Sequence, residues 1–148
     1  MSRWELVLLA AEPEVATESA RWVESHALRA GLGARAAGEL AASALEAVNN
    51  SIEHGYRNGA GAISLALDAD ATEVTVAVTD HGTGLSATVP DTVPAPTAER
   101  GRGSWIMRQW CDCVRHELEP GVQRVVLVKR REREAPHALL PIQEMPHP

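Results

Sequence analysis

In the stretch Ala62-Ile-Ser-Leu-Ala-Leu-Asp-Ala-Asp-Ala-Thr-Glu-Val-Thr-Val-Ala-Val-Thr-Asp80, apolar residues alternate with small or polar ones. Ile63, Leu65 and Leu67 take one set of alternate positions and Val74, Val76 and Val78 another. That two-residue period belongs to strands with one buried face. Asp68 to Ala71 supplies turn residues between the two halves. The stretch therefore predicts an antiparallel hairpin over residues 62–80, ending on a carboxylate at Asp80.

Upstream of the hairpin the period changes. Trp4 to Ala10 is a short apolar run and predicts a first strand. From Val15 the residues Val15, Ser19, Trp22, Val23, His26 and Ala27 recur at helical spacing up to about Ala30. Pro13 suits the start of that helix, and Gly31-Leu32-Gly33 ends it. A second, alanine-rich helix is expected from Ala34 to His54, with Leu40, Ala44, Leu45, Val48 and Ile52 as its apolar stripe. Gly55 stands where a C-cap would be, and Asn58-Gly59-Ala60-Gly61 is a turn cluster. Downstream, Ser86 to Glu99 has no periodicity and holds Pro90, Pro94 and Pro96. A loop of that length in a compact domain is usually functional or mobile. Ser104 to Trp110 is helix-compatible. Cys111 to Leu118 and Val122 to Lys129 form a closing hairpin around Glu119-Pro120-Gly121. The order β-α-α-β-β-loop-α-β-β predicts an α+β fold: a two-layer sandwich with helices on one face of a mixed, mostly antiparallel sheet. The domain is expected over residues 1–131, and residues 132–148, rich in proline and histidine, as a tail with little structure.

Composition narrows the function. The 148 residues are 45% hydrophobic and 23% charged, values of an ordinary globular domain. Fourteen basic against twenty acidic residues leave a net charge of −6, which disfavours nucleic acid and anionic membrane as partners. All the basic residues but Lys129 are arginine. A P-loop needs a lysine inside a glycine-rich loop, and none surrounds Lys129, so Walker-type nucleotidases are excluded. Two cysteines one residue apart, Cys111 and Cys113, cannot staple a loop, which fits a reduced, cytoplasmic protein. The apolar run near the N-terminus is too short for a signal peptide, and none approaches the ~20 residues of a membrane-spanning helix.

Three constellations carry candidate chemistry. Glu46 and Asn50 lie four apart on the second helix and so share a face. A carboxylate there can accept a proton, and an amide oxygen can ligate Mg²⁺, which needs few protein contacts. A solvated helix face would look the same. Asp80-His-Gly82-Thr-Gly84 puts a carboxylate at a strand end before two glycines, suited to an exocyclic amine and to close backbone approach by a flat ligand; a tight turn is the plainer alternative. Arg100-Gly101-Arg102-Gly103-Ser104 opens a helix with free N–H groups and guanidinium charge, suited to phosphate; it could equally be a linker.

Together and in this order, the three resemble the nucleotide-binding boxes of the GHKL ATPase/kinase superfamily. Glu46-Ala-Val-Asn-Asn-Ser-Ile-Glu-His-Gly-Tyr56 resembles the N-box, Asp80-x-Gly82-x-Gly84 the G1 box and Gly101-x-Gly103 the G2 box, with the proline-containing stretch in the place of the ATP lid. Spacing and size are most similar to the small bacterial anti-sigma-factor serine kinases, over about residues 4–130. The resemblance implies a Bergerat-type ATP-binding fold with ATP and Mg²⁺ as cofactors. It implies Glu46 as general base, Asn50 as Mg²⁺ ligand and Asp80 as the adenine contact, with Gly82 and Gly84 shaping the pocket. Gly101 and Gly103 would bring backbone to the phosphates, with Arg100 and Ser104 beside them. The implied activity is serine/threonine phosphorylation of a STAS-domain anti-anti-sigma partner, with sequestration of a sigma factor in the other state, in a homodimer. A nucleotide-gated module that binds a regulator without useful kinase activity is the alternative. The chain departs from the family pattern at Asn49, where threonine is common, and at Ser104, where a larger apolar residue is common.

Other assignments fail on order or spacing. Lys129 at a strand and Asp80-His-Gly82 invert the order of a eukaryotic-type kinase, and no catalytic-loop motif exists. Cys111-x-Cys113-x-x-His116 fits no zinc-site spacing; on a strand the two cysteines would share one face. Trp22, Trp105 and Trp110 are expected in the core.

Overall fold

The computed structural model describes residues 1–55, 61–82 and 102–132. The chain runs β1 (Ser2–Leu9), α1 (Val15–Arg29), α2 (Ala34–Asn50), a π-helical turn (Ser51–Gly55), β2 (Ala62–Ala69), β3 (Glu73–Asp80), α3 (Arg102–Trp110), β4 (Cys113–Glu119) and β5 (Val122–Arg130). This is the expected α+β order. The stretch 86–99, expected as the lid, and the expected tail beyond Glu132 lie outside the described residues.

The strands form one five-stranded sheet in the order β1-β2-β3-β5-β4. Each of the four pairings is antiparallel, so the sheet is not mixed as expected. The reason is topological. The β4–β5 hairpin inserts with β5, not β4, beside β3, and that reversal makes the junction antiparallel.

Strand alternation sets the layers. Ile63, Leu65 and Leu67 of β2 and Val74, Val76 and Val78 of β3 are all buried, and Leu127 of β5 joins them. Against this face pack Val15, Val23 and Ala27 of α1 and Leu40, Ala44 and Val48 of α2. Burying each of the larger aliphatic side chains is worth about 1.5–3 kcal/mol. Ala37, Ala41, Ala44 and Ala47 are buried along α2; small side chains bring its backbone close to α1 and to the sheet. Among the described residues no helix lies on the other face of the sheet, where Val7 and Leu9 of β1 are exposed.

The turn between the helices is a Schellman motif. Gly31 sits at φ 96°, its N–H donates to Leu28 O at 3.0 Å, and the Leu32 N–H donates to Ala27 O at 3.1 Å. A left-handed residue there favours glycine, and the motif satisfies the last carbonyls of α1.

Two further expectations are corrected. The second α-helix stops at Asn50, and Ser51–Gly55 continues as a π-helix; the apolar period cannot distinguish a widened last turn from a regular one. The two cysteines do not share a face. Cys111 precedes β4 and is buried on the helix side, whereas Cys113 pairs across from Val128 on the other face, next to the inward Val114. The tryptophan expectation holds unevenly. Trp22 is half-buried and packs on His26 with ring centroids 4.7 Å apart, while Trp110 is 39% exposed at the end of α3.

Candidate functional site

Asp80 is the last residue of an interior strand. It falls in phase with Val74, Val76 and Val78, so it takes the face that the helices cover. It is 3% exposed, an unusual burial for a carboxylate. Its Oδ1 accepts the Gly82 N–H at 3.0 Å, which bends the chain sharply after the strand. A buried acidic side chain with this single hydrogen bond among the described residues keeps acceptor capacity for a second donor.

α2 packs across β3 and β5 and against α3. Its last two turns carry Glu46 and Asn50, both half-buried. Burial first, and then the negative charge of Glu53, pushes the Glu46 carboxyl above the usual carboxylate range. Glu46 has no cation partner among the described residues. A carboxylate that is desolvated and unpaired is a stronger base than one in water. Glu53 itself lies in the π-turn, 3.8 Å from His54 Nε2. Sequence reasoning did not single out Glu53; its place seven residues after Glu46 was the available signal.

The Asn50 amide ends α2 and makes no hydrogen bond among the described residues. Those residues hold no cluster of three or more His, Cys, Asp or Glu able to bind a metal. A single amide oxygen suits only a cation that brings its own ligands. Mg²⁺, which keeps several waters and takes phosphate oxygens, is such a cation. Asn50 would hold it, and the ion would supply charge neutralisation at the phosphates.

α3 starts at Arg102 and contains Gly103 and Ser104 in its first turn. α2 thus packs against both β3, which ends at Asp80, and α3. Gly84, Arg100 and Gly101 lie outside the described residues. Such an arrangement can seat a purine amine on Asp80, a Mg²⁺-bound phosphate chain near Asn50, and a proton acceptor at Glu46.

Residues 9–129 match the histidine kinase-like ATPase domain family. The chain is similar to an anti-sigma F factor of Clostridium acetobutylicum, 32% identical over 91 residues that cover 58% of this chain and 64% of the relative. An anti-sigma F factor of Clostridium beijerinckii is 33% identical over 92 residues, again 58% of this chain and 64% of the relative. The chain therefore spans about 64% of the length of these curated relatives. Among solved structures, the RsbU and RsbW domains of a Mycobacterium tuberculosis protein superpose with TM-score 0.63 and 18% identity, over 88% of this chain and 32% of that one. That likeness concerns the fold. No helix among the described residues is long and apolar enough to cross a membrane.

Proposed function

The chain belongs to the histidine kinase-like ATPase domain family, and from that membership we propose that it is an ATP- and Mg²⁺-dependent serine/threonine protein kinase of a partner-switching circuit. It phosphorylates a STAS-domain anti-anti-sigma protein and, in its other state, holds a sigma factor. The similarity to proteins named anti-sigma F factor supports the circuit. The observation that carries the site is the buried Asp80 at the end of an interior strand, on the face covered by the helix bearing Glu46 and Asn50.

In this mechanism Asp80 accepts the adenine amine and Gly82 lets the base approach the backbone. Asn50 would hold Mg²⁺ through its amide oxygen, and the ion would supply charge neutralisation at the phosphates. The Gly101–Ser104 segment supplies N–H groups to the phosphate chain. Glu46 takes the proton from the attacking serine hydroxyl. Phosphoryl transfer asks mainly for such positioning and charge stabilisation. The chain works as a cytoplasmic homodimer.

The test is phosphotransfer from labelled ATP to the cognate STAS-domain protein, with light scattering on the same sample. Label on a partner serine supports the kinase. ATP-dependent partner or sigma-factor binding without transfer replaces it with the nucleotide-gated binding module.

A further inference from the structure

Seven residues before Glu46, on the same helix, stands Glu39. With Ser43 between them and Asn50 beyond, these polar residues fall at i, i+4, i+7 and i+11, a single stripe along α2. The upper half of the stripe is the candidate site. The lower half is tied down. Lys129 of β5, the only lysine of the chain, donates from Nζ to Glu39 Oε2 at 2.5 Å and also to the main-chain carbonyl of Trp110, the last residue of α3. The pair is largely withdrawn from water, with side chains 14% and 23% exposed.

Further ties surround it. The Ser43 hydroxyl donates to Glu39 O at 2.9 Å. The Cys111 N–H donates to Met107 O, and the Asp112 N–H to Val128 O, both at 2.9 Å. The C-terminal end of α3 is therefore pinned to α2 and to β5 together. Hydrogen bonding to Lys129, ahead of that to Arg35, outweighs burial and holds Glu39 below the usual carboxylate range. The opposite end of α3, about 13 Å away at 1.5 Å per residue, carries Gly103 and Ser104.

We propose that Lys129 is a positioning residue for the nucleotide site: by joining Glu39 of α2 to the last carbonyl of α3, it fixes the foot of α3 so that its glycine end meets the phosphates in register with Glu46 and Asn50. The proposal rests on the nucleotide-site assignment above. Lys129 does not touch nucleotide. It acts because α2 and α3 each carry half of the site and are joined here. A charge serves better than an apolar group, since one ammonium can satisfy the carboxylate and the helix-terminal carbonyl at once.

Lys129→Met keeps the length of the side chain and removes the charge; Lys129→Arg restores the charge. Both are measured for ATP·Mg²⁺ affinity by calorimetry at a temperature where circular dichroism shows them folded. Hydrogen exchange across residues 102–110 is followed without nucleotide. We expect Lys129→Met to bind ATP at least tenfold more weakly and to exchange faster across α3. Lys129→Arg should return to within about threefold of the parent. A purely structural pair would lower the melting temperature of Lys129→Met and leave the affinity of the folded protein unchanged, which overturns the proposal. If Lys129→Met does not fold, Glu39→Gln is read by the same two measurements and decides the matter. Parent protein that binds no ATP defeats the nucleotide-site assignment, a result separate from an unchanged exchange rate across α3, which defeats the joint.

Discussion

Asp80 and Glu46 are both acidic, and their surroundings assign them different work. Asp80 is buried with its Oδ1 on a backbone N–H, so it is held still and serves as an acceptor. Asp80→Asn keeps the shape and the bond to Gly82 but replaces an acceptor oxygen with an amide NH₂. A hydrogen bond to a charged group is worth about 1.5–3 kcal/mol, so ATP affinity measured by calorimetry should fall roughly tenfold or more. Equal affinity would remove Asp80 from the adenine contact. Glu46 has no cation partner among the described residues, and its raised titration accompanies two opposite predictions for Glu46→Gln. Partner phosphorylation should drop by about 10²–10⁴-fold, the usual worth of a positioned base, while ATP binding persists. Stability should move the other way. A carboxyl whose folded pKa is raised binds more protons folded than unfolded, so it costs stability as pH rises through the folded value. Glu46→Gln should then melt above the parent at pH 7. The gap should close as pH falls below the ordinary carboxyl value of 4.5. Melting curves across that range check it, and a variant less stable at pH 7 refutes the desolvation account.

Most elements were legible because their faces are chemically unequal. Ile63, Leu65, Leu67 and Val74, Val76, Val78 each have one neighbour layer, and alternation reports that directly. Glu46, Asn50 and Asp80 are candidates by residue type and order, and the structure places Asp80 buried at a strand end and the other two half-buried on α2. What escaped depends on partners far away in sequence. Lys129 meets Glu39 across 90 positions, and no local pattern records that contact. The antiparallel junction of β3 with β5 is likewise decided by which strand of a hairpin turns inward. His26 is a third case, placed on an apolar helix stripe by period alone. It lies between Trp4 and Trp22, at centroid distances of 5.1 and 4.7 Å, where β1 meets α1. Its Nδ1 is buried without a hydrogen-bond partner. Burial, then the charge of Arg29, pushes the imidazole below its ordinary range. The unfolded chain therefore takes up this proton more readily than the fold, and stability from this site is lost as pH falls through the ordinary value of 6.5. His116 under α3 is shifted the same way, by burial and then Arg108. His26→Leu should reduce the slope of stability against pH between 7 and 5 in denaturant titrations, leaving the His116 share. An unchanged slope would show that His26 titrates freely.

At the level of the whole molecule, the candidate site has no existence apart from the fold. Asp80 comes from the sheet, Glu46 and Asn50 from one helix, and Gly103 from another. A ligand that joins them can bind only the folded chain, so it must stabilise that chain by mass action. At a hundred times its dissociation constant the gain is about 2.7 kcal/mol. For a domain of this size that raises the melting temperature by roughly 5–10 °C. ATP with Mg²⁺ should give such a shift in a thermal melt, and ATP with a chelator a smaller one. Asn50→Ala tests the metal's place in that difference. The side chain ends α2 with its amide unoccupied among the described residues, so its loss costs the fold little. The variant should melt near the parent without ligand. With ATP its shift should be the same whether Mg²⁺ or chelator is present. A variant that keeps the full Mg²⁺-dependent increment places the ion elsewhere. A parent whose melting temperature ATP·Mg²⁺ leaves unchanged would show that these elements do not converge on nucleotide at all.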